Sequence, residues 1–147
     1  MSFGIHVSGQ ELLPKDKRAL ILRKIKQIAV KAEVSVLFVA DKEIKALNKK
    51  WRGKNKPTDV LSFPAEIEGI LGDIVISVET AARQALEWGH DFSEEIWVLL
   101  IHGLMHLMGY DHELGLPEAQ KQLEAEIRLL DQIGVNPQIA LCGRCSV

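Results

Sequence analysis

The stretch HGLMHLMGYDH, residues 102–112, limits the fold most tightly, because it joins an apolar helix to three of the five histidines. Ser93-Glu94-Glu95 precedes the apolar run Ile96 to Ile101 and reads as a helix start, an N-cap serine followed by acids in the first turn. Trp97, Leu100, Ile101, Leu104 and Met105 give this helix an apolar circumference wide enough for burial in a core. His102 and His106 are four residues apart, so they share one face, one turn apart. Gly109 can take a positive φ and end the helix, and His112 follows. Two imidazoles thus approach a point from the helix and a third from the turn beyond it. Three neutral nitrogens with a fourth position open is the arrangement of a catalytic zinc site. The expected cofactor is one Zn2+ per chain, held by His102, His106 and His112; nickel, copper or iron would also suit three imidazoles. A bare His-x-x-x-His on a helix means little, since two surface histidines read the same way. The third histidine after a helix-ending glycine is what sharpens the signal.

The spacing matches the metzincin pattern H-E-x-x-H-x-x-G-x-x-H at all but one position. There a protease has Glu as its general base; here residue 103 is Gly, which cannot take a proton. A peptidase would need its base from elsewhere.

The rest of the chain reads as one α+β domain over residues 1–133 with a C-terminal tail, 134–147. Phe3 to Ser8 alternates as a half-buried strand with His6 on the outer face. Residues 14–31 carry Leu20, Ile21, Ile25, Ile28 and Ala29 at helical spacing, with Pro14 in the first turn. Val34 to Ala40 is nearly continuous and β-branched, a central strand. Asp41 is placed as the cap of a short helix to about Lys50, with Ile44 and Leu47 inward. Val60 to Ala65 and Leu71 to Val78 form a hairpin-like strand pair, with Pro64 marking an edge or strand end. Residues 79–88 form a helix with Ala82, Ala85 and Leu86 inward, and 117–133 a final acidic helix with Leu123, Ile127 and Leu130 inward. The expected architecture is a mixed four-stranded sheet packed with about five helices, the metal site on the central one.

Charge is unevenly spread. Residues 1–57 hold 14 Lys and Arg against 5 Asp and Glu, while residues 58–147 hold 4 against 15. A basic half on a chain of net charge −2 fits a polyanion-binding surface, or a set of solvated helix faces. The densest basic region is Lys42 to Lys56, ending in the polar loop Trp51 to Thr58, with Lys49, Lys50, Lys54 and Lys56 as candidate RNA contacts. Arg52 is singled out because a guanidinium is always charged and donates two parallel hydrogen bonds to a phosphate. Trp51 is read as a core anchor, with base stacking as the alternative. Asp73 interrupts an apolar strand, and a buried carboxylate needs a partner. It either orients a ligand histidine from behind or caps the turn at Gly72. Asp111, beside His112, has the same two readings.

The motifs carry a resemblance. HGLMHLMGYDHE, together with NKKWRGKNKPTDVLSFP (48–64) and GDIVIS (72–77), resembles the YbeY family of bacterial zinc-dependent endoribonucleases. The likeness spans roughly residues 35 to 130. It implies cleavage of single-stranded RNA, small-subunit ribosomal RNA 3′-end maturation and ribosome quality control, with the small ribosomal subunit or its assembly factors as partners. It aligns Arg52 with an arginine regarded there as essential, and Ser62 with a serine near the metal. A strand serine facing solvent is the plain alternative for Ser62.

Apolar runs are far too short to span a bilayer and no signal-peptide core is present at the N-terminus, so no membrane partner and a cytoplasmic location are expected. Cys142 and Cys145, a single C-x-x-C in the tail, are weak evidence for a second metal and no disulfide framework. Two rivals remain: a zinc peptidase, and a ribosome-associated binding factor that catalyses nothing.

Overall fold

A computed structural model describes residues 4–110 and 114–141 of the chain. Nine principal elements follow in order: β1 (Ile5–Ser8), α1 (Lys15–Lys26), β2 (Glu33–Val39), α2 (Asp41–Arg52), β3 (Val60–Ile67), β4 (Ile70–Ser77), α3 (Val78–Trp88), α4 (Phe92–Leu107) and α5 (Leu116–Gln132). Short 3-10 turns occupy Gln10–Leu12 and Pro137–Leu141. The sheet order is β1-β2-β4-β3. β2 pairs in parallel with both β1 and β4, and β3 runs antiparallel to β4 at the edge. This is the mixed four-stranded α+β domain with five α-helices that the sequence led us to expect.

Alternation along the strands gives the sheet two unlike faces. Val34, Val36, Phe38, Ile74 and Ile76 point to one side and join the main core with Ile96 through Ile101, Leu104 and Met105 of α4. α4 is therefore the helix about which the molecule is packed; all but a few of its residues are buried. Val39, Leu61 and Val75 point to the other side and meet Ile44 and Leu47 of α2 in a smaller cluster. β2 is thus not buried on both faces throughout: Ser35 and Leu37 are exposed.

Several boundaries differ from the sequence reading for identifiable reasons. α4 starts at Phe92 because Asp91, not Ser93, is its N-cap: Ser93 N donates to the Asp91 carboxylate at 3.0 Å, and Asp91 N to Glu94 Oε1 at 3.0 Å. Asp41 is the first helical residue of α2 rather than its cap. Its carboxylate instead receives Ser77 Oγ and Thr80 Oγ1, each at 2.6 Å, and Arg83 at 2.9 Å, tying α2 to α3. Burial pushes the Asp41 carboxyl up, but those donors outweigh it and hold it below the ordinary range. In α3 the inward residues are Ala81 and Ala85, while Leu86 is exposed. Val135, Ile139 and Ala140 are buried, so the packed unit continues past the boundary expected at residue 133; Cys142 and Cys145 lie outside the described residues. No helix among the described residues is long and apolar enough to cross a membrane.

Candidate metal centre and basic surface

α4 does what the histidine spacing requires. His102 Nε2 and His106 Nε2 stand 3.1 Å apart, with the rings nearly perpendicular at 79°. Two nitrogens bound tetrahedrally to one zinc at ~2.0–2.1 Å stand about 3.3 Å apart, so this pair fits two positions on a shared ion. His112, the expected third ligand, and Asp111 lie outside the described residues. Among the described residues no group of three or more His, Cys, Asp or Glu side chains is gathered for a metal.

The far side of the His102 ring carries a partner that sequence reasoning passed over. His102 Nδ1 lies 2.8 Å from Glu126 Oε1 on α5. Were Nε2 to bind a metal, Nδ1 would hold the proton and donate it to this carboxylate, which would fix tautomer and ring orientation. Glu126 is 6% exposed and Gln122 1%. The Gln122 side-chain amide lies 3.1 Å from the same nitrogen; turned so that its oxygen faces the ring, it is a second acceptor. The signal was present in the sequence. Gln122 and Glu126 are four apart and lie with Ala125 on the buried face of α5, whereas the sequence reading placed only Leu123, Ile127 and Leu130 inward.

Between the two histidines, Gly103 brings the helix onto the sheet. A Cβ there would sit 3.0 Å from Ile74 Cγ2, 3.0 Å from Ser62 Oγ and 3.3 Å from Val60 Cγ2. A glutamate at 103, where a metzincin keeps its base, would be driven into β3 and β4. Ser62 faces α4, not solvent, and its hydroxyl donates to Gly103 O at 3.1 Å. It ties β3 to the turn of helix that separates the two histidines.

Asp73 is placed otherwise than expected. It lies on the opposite face of β4 from Ile74, exposed, in register with Phe63 and Ser35. The period of two along a strand means that if Ile74 touches α4, Asp73 cannot. It is neither buried nor behind a ligand histidine.

Arg52 also departs from its sequence reading. With Trp51 it closes the last turn of α2, before Gly53 at φ 71°. Cations suit that end of a helix, where carbonyl dipoles point outward. α2 and α4 cover opposite faces of the sheet, so the way from Arg52 to the histidines runs round β3, the edge strand. Residues 53–59 join α2 to that strand. Arg52, Lys49, Lys50, Lys54 and Lys56 are all exposed. Asn48, 2% exposed, holds the loop in place: its Nδ2 donates to Lys56 O at 2.9 Å, and Lys54 N donates to Asn48 O at 3.3 Å. Trp51, expected in the core, is 61% exposed.

The model of the family described as Endoribonuclease YbeY matches residues 9–134. Endoribonuclease YbeY of Aquifex aeolicus is 52% identical over 105 residues, 69% of this chain and 70% of that protein. That of Petrotoga mobilis is 42% identical over 140 residues, 88% and 94% of the two chains. The solution structure of TM1509 from Thermotoga maritima is similar over 88% of each chain, at 32% identity and a TM-score of 0.58.

Proposed function

Because the chain belongs to the YbeY endoribonuclease family, we propose that it hydrolyses phosphodiester bonds of RNA at the His102–His106 centre. It is an endoribonuclease, and its substrate is RNA. The observation that carries the assignment of the site is the pair of Nε2 atoms 3.1 Å apart, one ring backed by a buried carboxylate.

On this reading His102, His106 and His112 hold one Zn2+, and Asp111 steadies the third imidazole. Bound zinc supplies Lewis acidity toward a phosphoryl oxygen and a source of hydroxide near neutral pH. Glu126 keeps the His102 ring in the liganding tautomer. Ser62 sets the distance of the ligand helix from β3. Arg52, at the end of α2, reaches round β3 to pair with the phosphate and stabilises the charge that gathers on it in the transition state. Lys49, Lys50, Lys54 and Lys56 hold the strand by its phosphates. The role is processing of ribosomal RNA in the cytoplasm, at the small subunit or with its assembly factors, with a single catalytic domain forming the body of the chain.

The metzincin-like alternative is disfavoured because residue 103 is Gly and a glutamate there would meet β3 and β4. The test is cleavage of a single-stranded RNA by His106→Ala and Arg52→Ala. Each is expected to lose about 100-fold or more; unchanged cleavage in both rejects the assignment.

A further inference from the structure

The face of the sheet away from α4 is only partly covered. Beside α2 an open groove of about 690 Å³ crosses all four strands, and Ser8, Ser35, Leu37, Trp51, Phe63 and Asp73 are among its lining residues. Trp51 forms its wall. Phe63 meets the indole edge-on, centroids 6.2 Å apart at 66°, and Lys50 Nζ lies 5.1 Å from the ring centroid. Phe63 steadies the indole but leaves most of it in water. Lys49, Lys50 and Arg52 on the same last turns of α2, and Lys54 and Lys56 in the loop that follows, are exposed, and none of them makes an ion pair among the described residues. Asp73, the cross-strand partner of Phe63, is the one carboxylate of the groove lining.

We propose that this groove is a subsite for one unpaired nucleobase of the RNA, stacked on Trp51 with its donor edge toward Asp73. The proposal rests on the endoribonuclease reading but not on the metal centre. Uncompensated cations select a polyanion, and an exposed indole among them selects a planar ring attached to it; together these are the elements of a single-strand binding surface. Asp73 repels phosphate, so what it faces is a base edge. Guanine presents two adjacent donors, N1–H and the N2 amino group, to the two oxygens of a carboxylate; the other bases present fewer on that edge. The subsite therefore favours guanosine.

The test uses the full chain carrying His106→Ala, which on the proposed reading binds RNA without cutting it. Single-stranded uridine hexamers with one central guanosine are titrated by fluorescence anisotropy and by tryptophan emission. Trp51→Ala is expected to weaken binding about 5- to 150-fold, and Trp51→Phe only a few-fold. Quenching of tryptophan emission by the hexamer should vanish in Trp51→Ala, because Trp97 is buried and Trp88 half-buried. Replacing guanosine by inosine, which lacks the N2 amino group, should weaken binding to the parent but not to Asp73→Asn. Unchanged hexamer affinity in a folded Trp51→Ala variant overturns the proposal. So does self-association through the groove that Trp51→Ala abolishes while hexamer affinity stays the same, and an inosine penalty that survives Asp73→Asn overturns the placement of the donor edge. Should His106→Ala still cleave RNA, the metal assignment fails, while uncleavable 2′-O-methyl hexamers still decide the groove.

Discussion

Removing the carboxylate behind His102 should weaken the metal without dismantling the fold. In Glu126→Ala the Nδ1 proton loses its acceptor at 2.8 Å, and the ring is free to turn or to change tautomer. Deleting such a partner lowers metal affinity by roughly 10- to 100-fold, or about 1.4–2.8 kcal/mol at 1.4 kcal/mol per decade. Gln122, 3.1 Å from the same nitrogen, can accept in its place, so the loss should fall toward the lower end. Adding Gln122→Leu should carry it to the upper end. Glu126→Gln keeps an acceptor but not a charge and should lie between the parent and Glu126→Ala. Because the metal stabilises only the folded state, the rise in Tm on saturating with zinc should shrink by roughly 3–11 °C in a domain of this size. The assay is zinc titration against a chelator of known affinity, using untagged protein, alongside thermal melts with and without zinc. Affinity within two-fold of the parent in the folded double variant would refute the view that α5 builds the metal centre.

Three further outcomes follow from the packing. Gly103→Ala should lower stability by about 1 kcal/mol in urea unfolding, because crowding Ile74 and Ser62 costs ~1–3 kcal/mol against a helix-propensity gain of ~1. Asn48→Ala should release the carbonyl of Lys56 and weaken single-stranded RNA binding several-fold, at a cost of about 0.5–1.5 kcal/mol for the lost hydrogen bond. The third concerns pH. The hydrogen bond from Lys17 holds the Asp91 carboxyl below its ordinary range, and the same bond raises the Lys17 ammonium. A depressed carboxyl contributes stability above its unfolded pKa of ~3.9 that is lost as pH falls through the folded value. A raised ammonium contributes stability below ~10.4 that is lost as pH rises through the folded value. Asp91→Ala should therefore flatten the acid limb and the alkaline limb of the stability profile, and remove about 1 kcal/mol of capping at neutral pH.

What the sequence disclosed, and what it withheld, follows from the range of the forces involved. The histidine pair was legible because a spacing of four on an apolar helix fixes geometry within a single turn. The strand set was legible for the same reason, since alternation is local. Asp73 was misjudged because its face depends on which neighbours of β4 touch α4, a tertiary matter. Trp51 was misjudged because aromatic size argues for burial, whereas its place at the C-terminal end of α2 leaves it beside a half-covered sheet. Glu126 went unnoticed because a glutamate in an acidic helix looks solvated until α5 is docked on α4. Arg52 is helical rather than looped because Gly53, not Trp51, takes the left-handed turn.

β3 is a rim only one strand thick, with the imidazoles on one side and the lysine-studded α2 on the other. On the proposed assignment, a nucleotide chain touching both must fold over that rim within a few residues of its length. A duplex cannot make such a hairpin turn, since even double-stranded DNA resists bending over some 150 base pairs, and a lone strand makes it freely. Discrimination against paired RNA would then need no reader of base pairing at all: it is imposed by the narrowness of the ledge.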